Sequence, residues 1–280
     1  MVSASQPSSW QGEAFNEVPE SENLIHGDEI AKRHGFTGGL VPGVTVSAYL
    51  MHPAVEAWGM DWLTRGQAKA VVKQPLYDAE RFDVEVKPDP DPDPNSRADR
   101  YEATLYNGSG KLCAQGTASL PAVAPEPPAF RGDPKRTRGM ERPTASREVF
   151  ERLREQGLMA VRSRWSHDSE LTSYTRDPSH MAGPCRPANG YAASPAYVLG
   201  MTNWALAANV FMPAWLHLQT EHQNFAPIPL GSELITELAV ADLFERKGHE
   251  FVDVELSTFM TDETPVASCR LRAIYRLRGS

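Results

Sequence analysis

The sequence predicts an α+β protein in which one unit, a long apolar helix followed by an antiparallel sheet, occurs twice. Three observations predict it. Two helix starts, Gly43 and Ser194, precede proline turns at Pro75 and Pro227 by 32 and 33 residues. After each turn come strand-like runs with no helix between them, the pattern of an antiparallel sheet packed on a helix rather than of alternating α/β. Residues 121–144 hold six prolines and many charges, which disfavours helix and sheet alike and marks a connection. The expected units are 10–122 and 145–280, joined by a linker over 123–144.

In the first unit, Asp28–His34 reads as a short helix, and Gly43 opens a long one through Val44, Ala48, Tyr49 and Leu50. Arg81–Val86 and Tyr101–Tyr106 alternate apolar with polar residues, the period-two mark of half-buried strands, and the second run continues to Leu120. Between them, Pro88–Asn95 (PDPDPDPN) reads as a long loop at a sheet end, whose prolines deny its aspartates a calcium-binding wrap. In the second unit, Ser194-Pro195 begins a helix through Tyr197, Leu199, Trp204 and Leu206. Strands are expected at Leu234–Val240, Phe251–Phe259 and Val266–Leu277. The stretch WLHLQTEHQNFAPI reads as a strand leading to the Pro227 turn. His217 and His222, five apart on it, are expected on opposite faces and therefore not as a chelating pair. His217 reads as structural or pocket-lining, and Trp58, Trp62, Trp204 and Trp215 as core or interface.

Across 280 residues, 41% apolar and 23% charged residues describe an ordinary globular chain large enough for a sizeable core. A net charge of −8 leaves no basic field to hold nucleic acid. The three cysteines, Cys113, Cys185 and Cys269, make neither a metal motif nor a disulfide framework, which fits reduced thiols. No secretory leader and no apolar run long enough for a membrane span is read, so a cytoplasmic protein with no membrane partner and no metal is expected. A G-x-S-x-G elbow, a dinucleotide fingerprint and a P-loop are all missing, which removes serine hydrolases, dehydrogenases and nucleotidases.

Chemistry concentrates in Asn23–Leu50, NLIHGDEIAKRHGFTGGLVPGVTVSAYL. Asn23 and His26 lie three apart, Asp28 and Glu29 follow, and a glycine-rich turn leads to the helix at Gly43. A helix start leaves backbone N–H groups free for a carbonyl oxygen or an anion, and a histidine beside it can exchange protons near neutrality. The structural alternative is that His26 braces a loop and the glycines only make a turn. Asp28 reads as the N-cap of the short helix.

The order N-x-I-H-x-D-E-x-A, then G-F-x-G-G-L-V-P-G, then an apolar helix, resembles the MaoC-like, R-specific enoyl-CoA hydratase group of the hot-dog fold superfamily. The resemblance implies a double hot-dog: two sheets, each wrapping a central helix. It implies an acyl-thioester hydratase or dehydratase, with coenzyme A as part of the substrate and no other cofactor, and it allows a homodimer of double hot-dogs. Carried onto this sequence, the proton-transfer histidine is His26, the asparagine Asn23, and the glycine whose amide holds the thioester oxygen Gly43. Gly39, Val41, Pro42 and Tyr49 become substrate-binding candidates. The aspartate expected five residues before the histidine falls on Ser21, and Glu22 is the nearest carboxylate that could replace it. Leu24 stands where the family usually has proline. The missing aspartate keeps two alternatives open: a hot-dog thioesterase, for which Glu56 is the far carboxylate of the first helix, and a non-catalytic acyl-thioester-binding protein. Arg131, Lys135, Arg136 and Arg138 form a basic loop, read as solvated or as a contact for the phosphates of coenzyme A. The second unit carries no copy of the motif, and His180 stands alone in it.

Overall fold

The computed structural model describes residues 6–88 and 99–279. Among these described residues, ten strands form one antiparallel sheet, β1 Trp10–Glu13, β2 Gln67–Val72, β3 Arg81–Pro88, β4 Asp99–Asn107, β5 Leu112–Leu120, β6 Val161–Arg164, β7 Leu216–Asn224, β8 Glu233–Arg246, β9 His249–Met260 and β10 Pro265–Arg276. Their order is β1-β3-β4-β5-β2-β7-β10-β9-β8-β6. Each half therefore contributes five neighbouring strands. The two sheets expected from the sequence are continuous through β2 and β7, paired from Gln67 against Gln223 to Val71 against Gln219.

The α-helices among the described residues are α1 Asp28–Arg33, α2 Gly43–Arg65, α3 Arg147–Gln156 and α4 Pro195–Asn209. The two long ones, α2 and α4, pack on the sheet and on each other. From Val44 to Val55 every residue of α2 is buried, so this helix is wrapped on all sides, the condition in which an all-round apolar helix is stable. Inside α2, Gly59 takes φ +54° and breaks the helix, a kink that nothing in the sequence pattern announces. The Ser194 hydroxyl caps α4 by accepting from the Tyr197 N–H at 3.3 Å.

Alternation works as expected in β3 and β4. Phe82, Val84, Tyr101, Ala103 and Leu105 point inward with 2% exposure or less, while Asp83 and Glu85 face water. The aspartate–proline run between these strands, apart from Pro88, lies outside the described residues.

On β7 the expectation of opposite faces fails. The pairing with β10 runs Arg272–Gln219 and then Ala273–His217, so Leu218 is a bulge. The extra residue shifts the alternation and brings His217, Thr220 and His222 to one buried face.

The segment before α3 lies along the second half. The Arg131 and Asp133 N–H groups each donate to the buried carboxylate of Glu237 at 2.9 Å. Within the segment, Arg131 pairs with Asp133, Lys135 lies over the Phe130 ring, and Arg136 donates to the Met140 and Glu141 carbonyls.

Candidate functional site

His26 is aimed by its neighbours in sequence. Ile25 is fully buried in a small cluster with Leu40, Ile274 and Leu277, which anchors the turn Leu24–His26. Burying such a side chain stabilises by about 1.5–3 kcal/mol, enough to fix one short turn. The Leu24 N–H donates to the Pro213 carbonyl at 2.9 Å, tying the turn to the second half. Asn23 reinforces that tie. Its Oδ1 accepts from the Trp215 N–H at 3.1 Å, and its amide donates to the Trp215 carbonyl at 3.0 Å. The same amide nitrogen lies 3.2 Å from His26 Nε2.

The His26 tautomer follows from its other nitrogen. Nδ1 is 2.7 Å from the Leu40 carbonyl, which can only accept, so Nδ1 carries the proton and Nε2 the lone pair. Desolvation lowers the pKa of His26 below its ordinary value, opposed by the Leu40 hydrogen bond. At neutral pH the ring is therefore a neutral base with a fixed orientation. Both hydrogens of the Asn23 amide are spent, one on Trp215 and one on His26. Asn23 positions the histidine and has no donor left for a ligand.

The glycine-rich turn supports this arrangement by close approach. A Cβ on Gly39 would lie 2.1 Å from the His26 carbonyl oxygen, so only glycine fits. Its N–H donates to Asp28 Oδ1 at 2.9 Å. Asp28 is thus not the N-cap of α1. Gly27 holds that position, and Asp28 braces the turn while pairing with Lys32.

Gly43 opens α2 against β7, where a Cβ would meet the His217 carbonyl oxygen at 2.4 Å. Among the described residues no side chain caps this helix start, and the first N–H groups of a helix have no acceptor within it.

Two cavities meet here, of about 260 and 140 Å³. Both are lined by Asn23, His26, Asn203 and Trp215. The larger runs along α4 past Gly200, Trp204 and Ala207 to Phe211, with Pro42 and Val44 on its other side. The smaller runs beside Leu40, Val41, Gly43 and Leu76 toward Lys73 and Gln74. Of the substrate-binding candidates, Val41 and Pro42 thus line cavities. Gly39 lines neither, and Tyr49 is fully buried in the core. Six residues beyond Gly43 the helix has turned well past its starting face. There the Tyr49 ring stacks on Phe82 at 4.3 Å, and its hydroxyl accepts from the Phe15 N–H.

Glu22 and Ser21 line the larger cavity. The Glu22 carboxylate takes two hydrogen bonds from Arg142, at 2.7 and 3.1 Å, and these lower its pKa below the usual carboxylate range. Arg142 also donates to the Ala207 carbonyl and lies over the Phe211 ring. It is this arginine, rather than Arg131, Lys135, Arg136 or Arg138, that lines the cavity. Glu56 lines neither cavity. It accepts from the Gly183 N–H at 2.7 Å and faces Arg186. His180 is exposed beside Asp177.

Three contributors escaped the sequence reading: Asn203, the backbone of Trp215, and Arg142. Asn203 left a trace, as a polar residue in the middle of the apolar helix PAYVLGMTNWALAAN.

Among the described residues, no group of three or more His, Cys, Asp or Glu is arranged to hold a metal ion, and no helix is long and apolar enough to cross a membrane. All three cysteines are buried and free.

No protein-family model and no curated protein matches the sequence. Solved structures do match in shape. A conserved hypothetical protein of Mycobacterium tuberculosis, described as essential for bacterial survival during infection and as having a double hot-dog fold, is 12% identical; the match covers 96% of each chain with a TM-score of 0.58. The TesB protein of Mycobacterium avium subspecies paratuberculosis is 13% identical over 96% of this chain and 92% of its own, with a TM-score of 0.57. A Chloroflexus aurantiacus protein bearing the name MaoC domain protein dehydratase is 8% identical over 96% of this chain and 94% of its own, also at 0.57. With five strands and one long central helix from each half, this chain has the double hot-dog fold.

Proposed function

We propose that the protein is a hydratase or dehydratase acting on an acyl thioester, with coenzyme A as the most fitting carrier and His26 as its proton-transfer group. The observation that carries this reading is the junction of two cavities at a neutral, oriented imidazole beside an uncapped helix start. An elongated ligand has a wall on each side of His26, so its middle, where a thioester joins carrier to acyl group, lies at the base.

In the hydration direction, His26 Nε2 takes a proton from water as the oxygen bonds to the β-carbon. The water competes with the Asn23 amide for that lone pair. Electron density moves to the thioester oxygen, where the N–H of Gly43 stabilises the enolate. The imidazolium then returns its proton to the α-carbon, so the elements of water are added across the double bond and the enzyme is regenerated. Glu22, held ionised by Arg142, is not required as a second acid.

Similarity in shape supports the thioesterase alternative equally, and what weighs against it is the site, since Glu56 lies outside both cavities. Incubation with crotonyl-CoA distinguishes the readings. Hydration removes the conjugated thioester absorbance without releasing thiol. Release of free thiol makes the protein a thioesterase, and binding without turnover makes it a carrier or binding protein.

A further inference from the structure

The second half lacks the His26 motif, yet it places one unspent donor at the same junction. Asn203, on α4, lines both cavities together with His26. Its Oδ1 lies 2.9 Å from His217 Nδ1, and His217 Nε2 lies 2.7 Å from Thr220 Oγ1. An amide oxygen only accepts, so Nδ1 carries the proton of His217 and Nε2 accepts from the threonine hydroxyl. His217 and Thr220 are both buried, with 6% and 0% exposure. The orientation of the Asn203 amide is therefore set from behind by two buried side chains. The bulge at Leu218 is what makes the chain possible, since it puts His217 and Thr220 on one face.

The contrast with Asn23 is chemical. Both asparagines line the two cavities, but Asn23 has given one amide hydrogen to Trp215 and the other to His26. The Asn203 amide nitrogen makes no hydrogen bond to any described residue, and the half-buried side chain borders open volume. A donor oriented by a buried relay and left free in a cavity is a preorganised contact for an acceptor oxygen.

We propose that Asn203, held by His217 and Thr220, donates its side-chain amide to an oxygen of the bound acyl thioester, so that the second half supplies substrate orientation to the histidine of the first. This rests on the acyl-thioester reading above and names a residue that reading does not use. Asn203 is then a substrate-orienting residue, and His217 and Thr220 position it.

The test uses the full chain and two probes, butyryl-CoA for binding by calorimetry and crotonyl-CoA for turnover. Asn203→Ala is expected to weaken butyryl-CoA binding by about 5-fold or more and to lower kcat/KM for crotonyl-CoA by roughly 10²-fold, the range for loss of one oriented donor. Asn203→Asp keeps the shape and the acceptor for His217, but its ionised carboxylate repels the substrate oxygen. At pH 7.5 this variant should bind butyryl-CoA more weakly than Asn203→Ala, because it sets an anion against the substrate oxygen where alanine only removes a donor. A merely structural role gives the reverse order, since aspartate keeps the shape and the bond to His217 that alanine loses. If both variants bind butyryl-CoA as the wild type does, the inference is overturned while hydratase activity stands. If the wild type binds butyryl-CoA without turning over crotonyl-CoA and Asn203→Ala loses binding, the hydratase reading falls and the role of Asn203 stands. A wild type that binds no butyryl-CoA overturns both.

Discussion

Gly43→Ala is the most informative single-atom perturbation of the site, because the added methyl meets backbone rather than a movable side chain. Its Cβ would lie 2.4 Å from the His217 carbonyl oxygen and 3.2 Å from the His217 carbonyl carbon. Relief to ordinary contact requires the start of α2 to withdraw from β7 by roughly 0.6–1 Å. It cannot withdraw freely, because the Val41 N–H is bonded to the Leu76 carbonyl at 2.9 Å and the following turns are buried on all sides. Overpacking of this kind costs about 1–3 kcal/mol, a fall in Tm of several degrees for a chain of this size. The functional cost is larger. A shift of about 1 Å in an oxyanion donor lowers the rate by roughly 10²-fold, in kcat and kcat/KM together, since the interaction is made in the transition state. Crotonyl-CoA hydration at neutral pH, with thermal unfolding followed in parallel, measures both effects. Retention of wild-type kcat by Gly43→Ala would refute the assignment of this N–H as the oxygen donor, whatever happens to Tm.

Two further outcomes follow from the titratable groups. Glu22→Gln should leave kcat on crotonyl-CoA within about 3-fold of wild type, because the ionised carboxylate serves only an exposed pair with Arg142, a contact worth about 1 kcal/mol or less. A loss of 10²-fold would instead restore Glu22 as the second acid–base group. Burial lowers the pKa of His52, His217 and His222 to about 4 from an ordinary 6.5. Below pH 6.5 the unfolded chain takes up protons that the folded chain refuses, so stability is full above that pH and falls toward pH 4, by up to about 3 kcal/mol for each histidine. Glu17 works in the opposite sense, since desolvation raises its pKa to about 7 and its contribution is lost as pH rises through that value. Tm measured from pH 8 to pH 4 should fall below pH 6.5, and His217→Gln should make that fall shallower; an unaltered slope would mean that His217 is charged when folded.

The fold was legible because both central helices are apolar all round and the strands after them alternate cleanly. Gly43 and Ser194, Pro75 and Pro227 keep the same spacing in both halves, and the two halves fold to the same plan. The continuity of the sheet was not legible, since β2 is only six residues long and its pairing with β7 is a contact between halves. Nor was the bulge at Leu218, because one inserted residue leaves no mark on a strand already mixed in polarity. At the site, the spacing of Asn23, His26 and Gly43 pointed to residues that do line one junction. It misdirected attention to Tyr49, whose helix position faces the core, and to Asp28, which braces a turn instead of capping a helix. Asn203 borders the junction from the other half, and no local spacing connects it to His26.

The role of His26 is tested most directly by hydration of crotonyl-CoA by wild type and His26→Ala at pH 7.5, followed as loss of the conjugated thioester absorbance with free thiol assayed in the same reaction. If His26 is the proton-transfer group of a hydratase, the wild type turns over without thiol release, and His26→Ala falls by about 10²-fold or more with its Tm nearly unchanged. Equal rates for the two proteins, or thiol appearing as fast as absorbance is lost, would contradict that role.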